Sequence, residues 1–184
     1  REAAGAHATA GDSIGNAKLL GRGVSIAPDN LPLRLSYAEA LAWSGDRASA
    51  IPQYDTLLMN GRDPDLLIDR ARLYALTGSG SLAERDLRES AALRPSPAAY
   101  VALGDLYRWR GDRRDAREAY AHANAMQTGD AAAQAGLDQI AAAERREWTA
   151  LLSRDVGWIG SSSYIGDNAG FNLYTGGLSG GFAV

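Results

Sequence analysis

The sequence repeats itself every 33 residues, and this period constrains the fold more than any other feature of the chain. Gly45, Gly78 and Gly111 follow one another at that interval. A period near 34 residues is typical of solenoids that are built from two helices per unit. Small, aromatic and large apolar residues recur in further registers: Ala50, Ala83 and Ala116; Leu41, Tyr74 and Tyr107; and Tyr54, Leu87 and Tyr120.

The residue pattern within each unit resembles the tetratricopeptide repeat (TPR) family. That family's order is aromatic, Leu-Gly, Tyr, small residue, aromatic, small residue and Pro; the third unit departs from it at Thr128, and the second has Arg70-Ala71 in place of Leu-Gly. The resemblance covers about residues 1–130 and implies a mainly α fold, a right-handed superhelix of antiparallel helix pairs. Its carriers are Tyr100, Leu103, Gly104, Tyr107, Ala116, Tyr120 and Ala123 in the third unit, Tyr74, Ala83, Leu87 and Pro95 in the second, and Ala38, Leu41, Ala50, Tyr54 and Leu57 in the first.

We expect three TPR units over residues 31–130 and a degraded TPR-like unit over residues 1–30. In the degraded unit we interpret Gly11-Asp12 as a junction between helices. In the first full unit Pro52 falls inside the second helix. A proline there loses a backbone hydrogen bond at a cost of about 3 kcal/mol, which predicts a kink or a late start of that helix.

The repeated residues have a structural explanation. Gly45-Asp46 and Gly111-Asp112 predict a glycine with a left-handed backbone that ends the first helix, followed by a carboxylate that caps the second. Gly104 and Ala116 are small where the surfaces of neighbouring helices meet. These residues therefore indicate how the chain folds, and they give no information about what it binds.

Function is expected on the variable positions of the first helices, which line the concave face in this family. Two tryptophans and mixed charge suit an extended peptide, a partner helix or a sugar chain stacked on aromatic faces. The alternative is that Trp43 and Trp109 pack against the next unit, and Tyr54, Tyr107 and Tyr120 are expected only to hold the fold. The candidate groove residues are Glu39, Trp43, Arg72, Asp105, Arg108 and Trp109, together with Ala42, Ala75 and Leu76.

The composition changes twice after the repeats. Residues 131–153 have apolar side chains at roughly helical spacing and predict a capping helix. Residues 154–184 are rich in Gly, Ser and aromatic residues around a turn at Gly166–Gly170, which predicts two strands in a β-hairpin-like segment. Such a pair is not stable alone. The segment is interpreted as the first strands of an outer-membrane β-barrel, a small sheet added to a partner, or a flexible tail, and its interleaved aromatics favour the barrel.

If the barrel interpretation holds, the layout is similar to that of outer-membrane exopolysaccharide exporters of the cellulose synthase operon protein C type. This resemblance implies a non-catalytic periplasmic scaffold, a C-terminal segment in the outer membrane, and a groove that contacts a protein partner or a polysaccharide. Phage-adsorption outer-membrane proteins have a similar layout. A general peptide-binding TPR adaptor, located in the cytoplasm, is the other alternative. Because the chain begins with Arg1 rather than Met, we expect it to be a piece of a longer protein.

The composition excludes several classes of site. The net charge is −3 and Lys18 is the only lysine, which argues against nucleic acid as a partner. The absence of cysteine removes disulfides, thiolate metal sites and cysteine nucleophiles. No triad can be assembled around the GDSIG motif at Gly11–Gly15, and His7 and His122 lack the paired spacing of a zinc site. We therefore expect no catalytic residue, no cofactor and no metal, and predict that the protein is not an enzyme.

Overall fold

The computed structural model of the chain describes residues 10–161, and within that range the chain forms eight α-helices. Consecutive helices pack side by side: α1 on α2, α2 on α3, and so on through α7, with α4 also touching α6. No helix in this range is long and apolar enough to cross a membrane. The helices are α1 (Ala10–Ile26), α2 (Leu31–Trp43), α3 (Arg47–Met59), α4 (Pro64–Leu76), α5 (Gly80–Leu93), α6 (Pro97–Arg110), α7 (Arg113–Met126) and α8 (Ala131–Ser161).

The helix starts keep the 33-residue register, because the residues that start a helix recur with it. The side chains of Asn30, Asp63 and Ser96 stand at the N-caps of α2, α4 and α6, and each accepts a hydrogen bond from a backbone N–H in the first turn. A proline follows each cap at the first or second helical position, where its missing N–H costs nothing. The three first helices of the units therefore begin at equivalent residues.

The turns between the two helices of each unit largely follow the sequence prediction. Gly45 and Gly111 have φ values of 88° and 87°, a left-handed backbone that glycine adopts without strain. The Asp46 carboxylate accepts a hydrogen bond from the backbone N–H of Ser49 at 3.1 Å, as a cap should. Asp112 makes no such bond and pairs with Arg110 at 3.1 Å instead, so the predicted carboxylate cap is wrong for α7.

The repeated small residues lie where helices approach most closely. Ala50, Ala83 and Ala116 are fully buried. A Cβ built on Gly104 would fall 2.6 Å from ring carbons of Tyr120, which is itself completely buried. The close contact that the sequence predicts at Gly104 is therefore a contact between α6 and the tyrosine ring of α7.

Two expectations for the first fifty residues are wrong. Gly11-Asp12 lies inside α1 and does not form a helix junction. α3 begins at Arg47, the residue equivalent to Gly80 and Arg113, and continues through Pro52 without a late start. Pro52 is tolerated because its ring removes one hydrogen bond near the start of a helix whose other face is packed against α2 and α4.

The C-terminal helix runs further than the sequence predicts. α8 extends from Ala131 to Ser161, so residues 154–161 are helical where strand was expected. Nothing in this stretch forbids a helix, since it contains no proline and its glycines cost only about 1 kcal/mol each. The rest of the predicted hairpin, residues 162–184, lies outside the described residues. The chain divides into two compact units, Arg1–Glu144 and Arg145–Val184, and the packing described here belongs to the first.

Candidate functional site

The first helices α2, α4 and α6 carry all six candidate residues, and the structure places them along two neighbouring cavities. The cavity between α2 and α4 has a volume of about 540 Å³, and the cavity between α4 and α6 about 690 Å³. Arg72 and Leu76 line both, so the two cavities form one continuous surface, which we call the first-helix groove. The α2/α4 cavity also contains Glu39 and Trp43, and the α4/α6 cavity Asp105, Arg108 and Trp109.

Large apolar side chains are exposed at one register position of the groove. Trp43 is 85 % exposed, Leu76 65 % and Trp109 65 %, and each lies at or next to the end of its helix. The alternative in which both tryptophans pack against the next unit is therefore wrong. We call these three residues the apolar ladder. Their exposure leaves one large apolar group per unit free to contact a ligand.

Ion pairs alternate with the apolar ladder. Arg72 pairs with Asp69 at 3.1 Å, and Arg108 pairs with Asp105 at 3.3 Å, each across one helical turn. Burial raises the pKa of Asp69 above its ordinary value, against the opposing effect of Arg72. Because both arginines are already paired, the groove offers balanced hydrogen-bonding groups and no strong net charge.

The hydroxyl of Tyr120 positions two of these groups. It donates a hydrogen bond to Asp105 at 2.7 Å and accepts one from the guanidinium of Arg108 at 3.2 Å. Burial, together with the bond to Asp105, raises the pKa of Tyr120 to about 12. Tyr120 therefore holds the fold, as the sequence predicts, and also orients the polar side of the groove.

The other two structural tyrosines are buried as well. Tyr54 is 3 % exposed and forms part of the wall of the α2/α4 cavity, where burial raises its pKa to about 12. Tyr107 donates to Glu84 and accepts from Arg88, both at 3.1 Å. With pKa values this high, the phenols of Tyr54 and Tyr120 stay protonated near neutral pH and do not serve as general bases.

Sequence reasoning missed a buried ion cluster between α3, α4 and α5. Arg70 is 6 % exposed and donates to both Asp55 and Asp86 at 2.7 Å, while Arg85 also pairs with Asp86 at 3.1 Å. The Arg70 guanidinium lies 5.6 Å from the ring centre of Tyr74. Burial by itself lowers the pKa of Arg70, but the bonds to the two carboxylates outweigh it and raise the pKa.

The repeat register contains the signal that would have revealed this cluster. In the third unit the positions equivalent to Arg70 and Asp86 hold Leu103 and Ala119. Two opposite charges replace two apolar residues in the same pair of registers, which predicts that the charged side chains meet. A comparison of units for paired changes, rather than for shared residues, would have found it.

The remaining sequence candidates do not form a catalytic or metal site in the part of the chain that the structure describes. Within residues 10–161 no three His, Asp or Glu side chains are grouped to hold a metal ion. The His122 ring stacks on Tyr100, with the ring centres 5.3 Å apart. His7 lies outside the described residues.

Sequence comparisons identify no relative. No protein-family model matches the chain, and no curated protein matches it. The similarity that exists is therefore one of structure.

Several crystal structures have the same fold as this chain. MamA superposes with a TM-score of 0.64 at 18 % identity, over 73 % of this chain and 80 % of that one. TTC0263, a TPR protein of Thermus thermophilus, gives 0.61 at 24 % identity over 71 % and 72 %. The Sgt2 TPR domain from Aspergillus fumigatus gives 0.57 at 22 % identity over 77 % and 92 %. The chain thus has the fold of TPR proteins.

Proposed function

We propose that this chain is a non-catalytic protein-interaction scaffold whose first-helix groove binds an extended peptide segment of a partner. The observation that carries the proposal is the apolar ladder, Trp43, Leu76 and Trp109, exposed at one register position along two joined cavities. Exposed apolar groups that line a continuous cleft are typical of interaction surfaces. A TPR-like solenoid presents such a cleft on rigid helices.

The energetics favour an apolar contact at each unit. Burial of a large apolar side chain stabilises a complex by roughly 1.5–3 kcal/mol, and tryptophan is enriched among the residues that dominate binding. The ion pairs Asp69–Arg72 and Asp105–Arg108 stand beside the ladder and offer hydrogen bonds to a peptide backbone. We therefore expect the two tryptophans to contribute most of the affinity, with the polar groups fixing the register of the bound segment.

Selection from a displayed random-peptide library, followed by measurement of the affinity of the enriched peptides, tests this proposal. The double variant Trp43→Ala, Trp109→Ala should weaken binding by about 100-fold or more, since the loss of each tryptophan costs at least about 1.4 kcal/mol. Trp148→Ala is the matched control, because Trp148 is 66 % exposed on α8 and does not line the groove. Failure to enrich any peptide, or equal affinity in the double variant, would show that the groove does not bind peptides.

A second candidate ligand is a polysaccharide, favoured by the two exposed tryptophan side chains, whose flat faces suit sugar rings. In this version the chain is the periplasmic scaffold of an outer-membrane exopolysaccharide exporter, an idea that rests on the similarity of its layout to those exporters. Soluble cello-oligosaccharides should then bind with little dependence on salt, whereas salt should slow association with a protein partner. The general cytoplasmic adaptor predicts no binding of these sugars.

A further inference from the structure

A second cavity lies among α5, α6 and α7 and shares no lining residue with the first-helix groove. Its volume is about 490 Å³. Tyr100, Leu103 and Tyr107 of α6 form its floor, Arg88 of α5 one wall, and α7 the other. The α7 wall carries two exposed carboxylates, Asp115 and Glu118, and the ring of His122.

The preceding unit shows what this kind of crevice accommodates. One period earlier the same positions lie among α3, α4 and α5, and there the chain supplies its own guanidinium, Arg70, from the position of Leu103. That guanidinium binds carboxylates of both walls, Asp55 and Asp86, at 2.7 Å. It also lies 5.6 Å from the ring centre of Tyr74, the residue equivalent to Tyr107. The chain therefore contains a working example of a guanidinium held by carboxylates and a tyrosine in this crevice.

The cavity among α5, α6 and α7 has the acidic and aromatic groups but lacks the cation. Leu103 replaces the arginine on the floor, so no side chain of the floor reaches the acidic wall as Arg70 does. Asp115 forms no ion pair with any residue that the structure describes, and the nearest partner of Glu118 is His122 at 4.0 Å. The one basic residue on the opposite wall, Arg88, is paired with Glu84 at 2.8 Å and bonded to Tyr107.

We propose that the cavity among α5, α6 and α7 binds the guanidinium of an arginine side chain from a partner protein, taking the place that Arg70 fills in the preceding unit. Asp115 and Glu118 would accept its hydrogen bonds, a charge-assisted arrangement that the planar guanidinium makes in pairs. The rings of Tyr100 and Tyr107 would contact its face. Neither contact depends on what occupies the first-helix groove.

Chemical-shift titration of the whole chain with N-acetyl-arginine methylamide tests the proposal. We expect saturable shifts at Tyr100, His122 and the α7 wall, and at least tenfold weaker binding in the double variant Asp115→Asn, Glu118→Gln. Glu39→Gln is the matched control, since it removes an exposed carboxylate from the first-helix groove and should leave this binding unchanged. Melting temperature confirms that each variant is folded, and both substituted carboxylates are exposed.

Two further probes separate charge from shape. The uncharged citrulline analogue, N-acetyl-citrulline methylamide, should not bind, and the lysine analogue should bind more weakly than the arginine analogue. Equal binding of citrulline would overturn the role of the carboxylates, and equal binding of lysine would overturn the choice of a guanidinium. Absence of shifts at the cavity with millimolar arginine analogue would overturn the site itself. None of these outcomes bears on the peptide-binding groove, which keeps the two proposals distinguishable.

Discussion

Arg70 shows how one residue can depart from the repeat without disturbing the fold. It occupies the register of Leu103, yet it is buried to the same extent, 6 % exposed in each case. The charge is tolerated because Asp86, fully buried, stands at the register of Ala119 and pairs with it. A buried pair of this kind stabilises little in net terms, but removal of one partner leaves the other without compensation.

The variant Arg70→Leu should lose about 3 kcal/mol of unfolding free energy, because the Asp86 carboxylate stays buried without its main partner. The double variant Arg70→Leu, Asp86→Ala copies the third unit and should recover to within about 1 kcal/mol of the wild type. Urea unfolding of both variants measures the difference. A double variant as unstable as the single one would mean that the two units tolerate these positions for different reasons.

At the scale of the helix, the contact between α5 and α6 depends on a polar clip. Glu84 of α5 accepts hydrogen bonds from Tyr107 at 3.1 Å and from Arg110 at 2.6 Å, both on α6. Burial by itself raises the pKa of Glu84, but the bonds from Arg110 and Tyr107 and the charge of Arg88 outweigh it and lower the pKa. The stability of this helix contact therefore depends on the ionised carboxylate.

The variant Glu84→Gln should be less stable than the wild type by about 1–2 kcal/mol at pH 7. Because the pKa of Glu84 is lower in the folded chain, its stabilisation is complete above the ordinary glutamate pKa of about 4.3 and is lost as the pH falls through the lowered value. The difference between the two proteins should therefore shrink in acid. Thermal unfolding from neutral to acid pH measures it, with Glu118→Gln as an exposed control; a pH-independent gap would contradict the clip.

The repeated helices could be predicted from the sequence because their end signals are local. Asn30, Asp63 and Ser96 recur in register and each is followed by proline, so the helix starts were readable. The end of α8 was not, since Gly and aromatic residues from residue 154 onward suit both a strand and a helix. Gly11-Asp12 misled because the same pair of residues ends a helix in one context and lies within a helix in another.

At the scale of the molecule, structural and exposed residues separate by register. Repeated positions such as Ala116 and Tyr120 are fully buried, whereas the apolar ladder is exposed in every unit. The register placed the candidate residues on the correct helices, since that assignment needs only the period. It could not show that Arg72 joins two cavities or that the Tyr120 hydroxyl reaches Asp105, because both depend on distances between helices.

The separation of the ladder from the core is the central claim, and thermal unfolding of the triple variant Trp43→Ala, Leu76→Ala, Trp109→Ala tests it most directly. Exposed substitutions each change stability by no more than about 0.5 kcal/mol, so we expect one cooperative transition within roughly 5 °C of the wild type. Tyr120→Ala, which empties a fully buried site, should lose at least about 3 kcal/mol in the same experiment. A triple variant destabilised as much as Tyr120→Ala would show that the ladder belongs to the core and is not a binding surface.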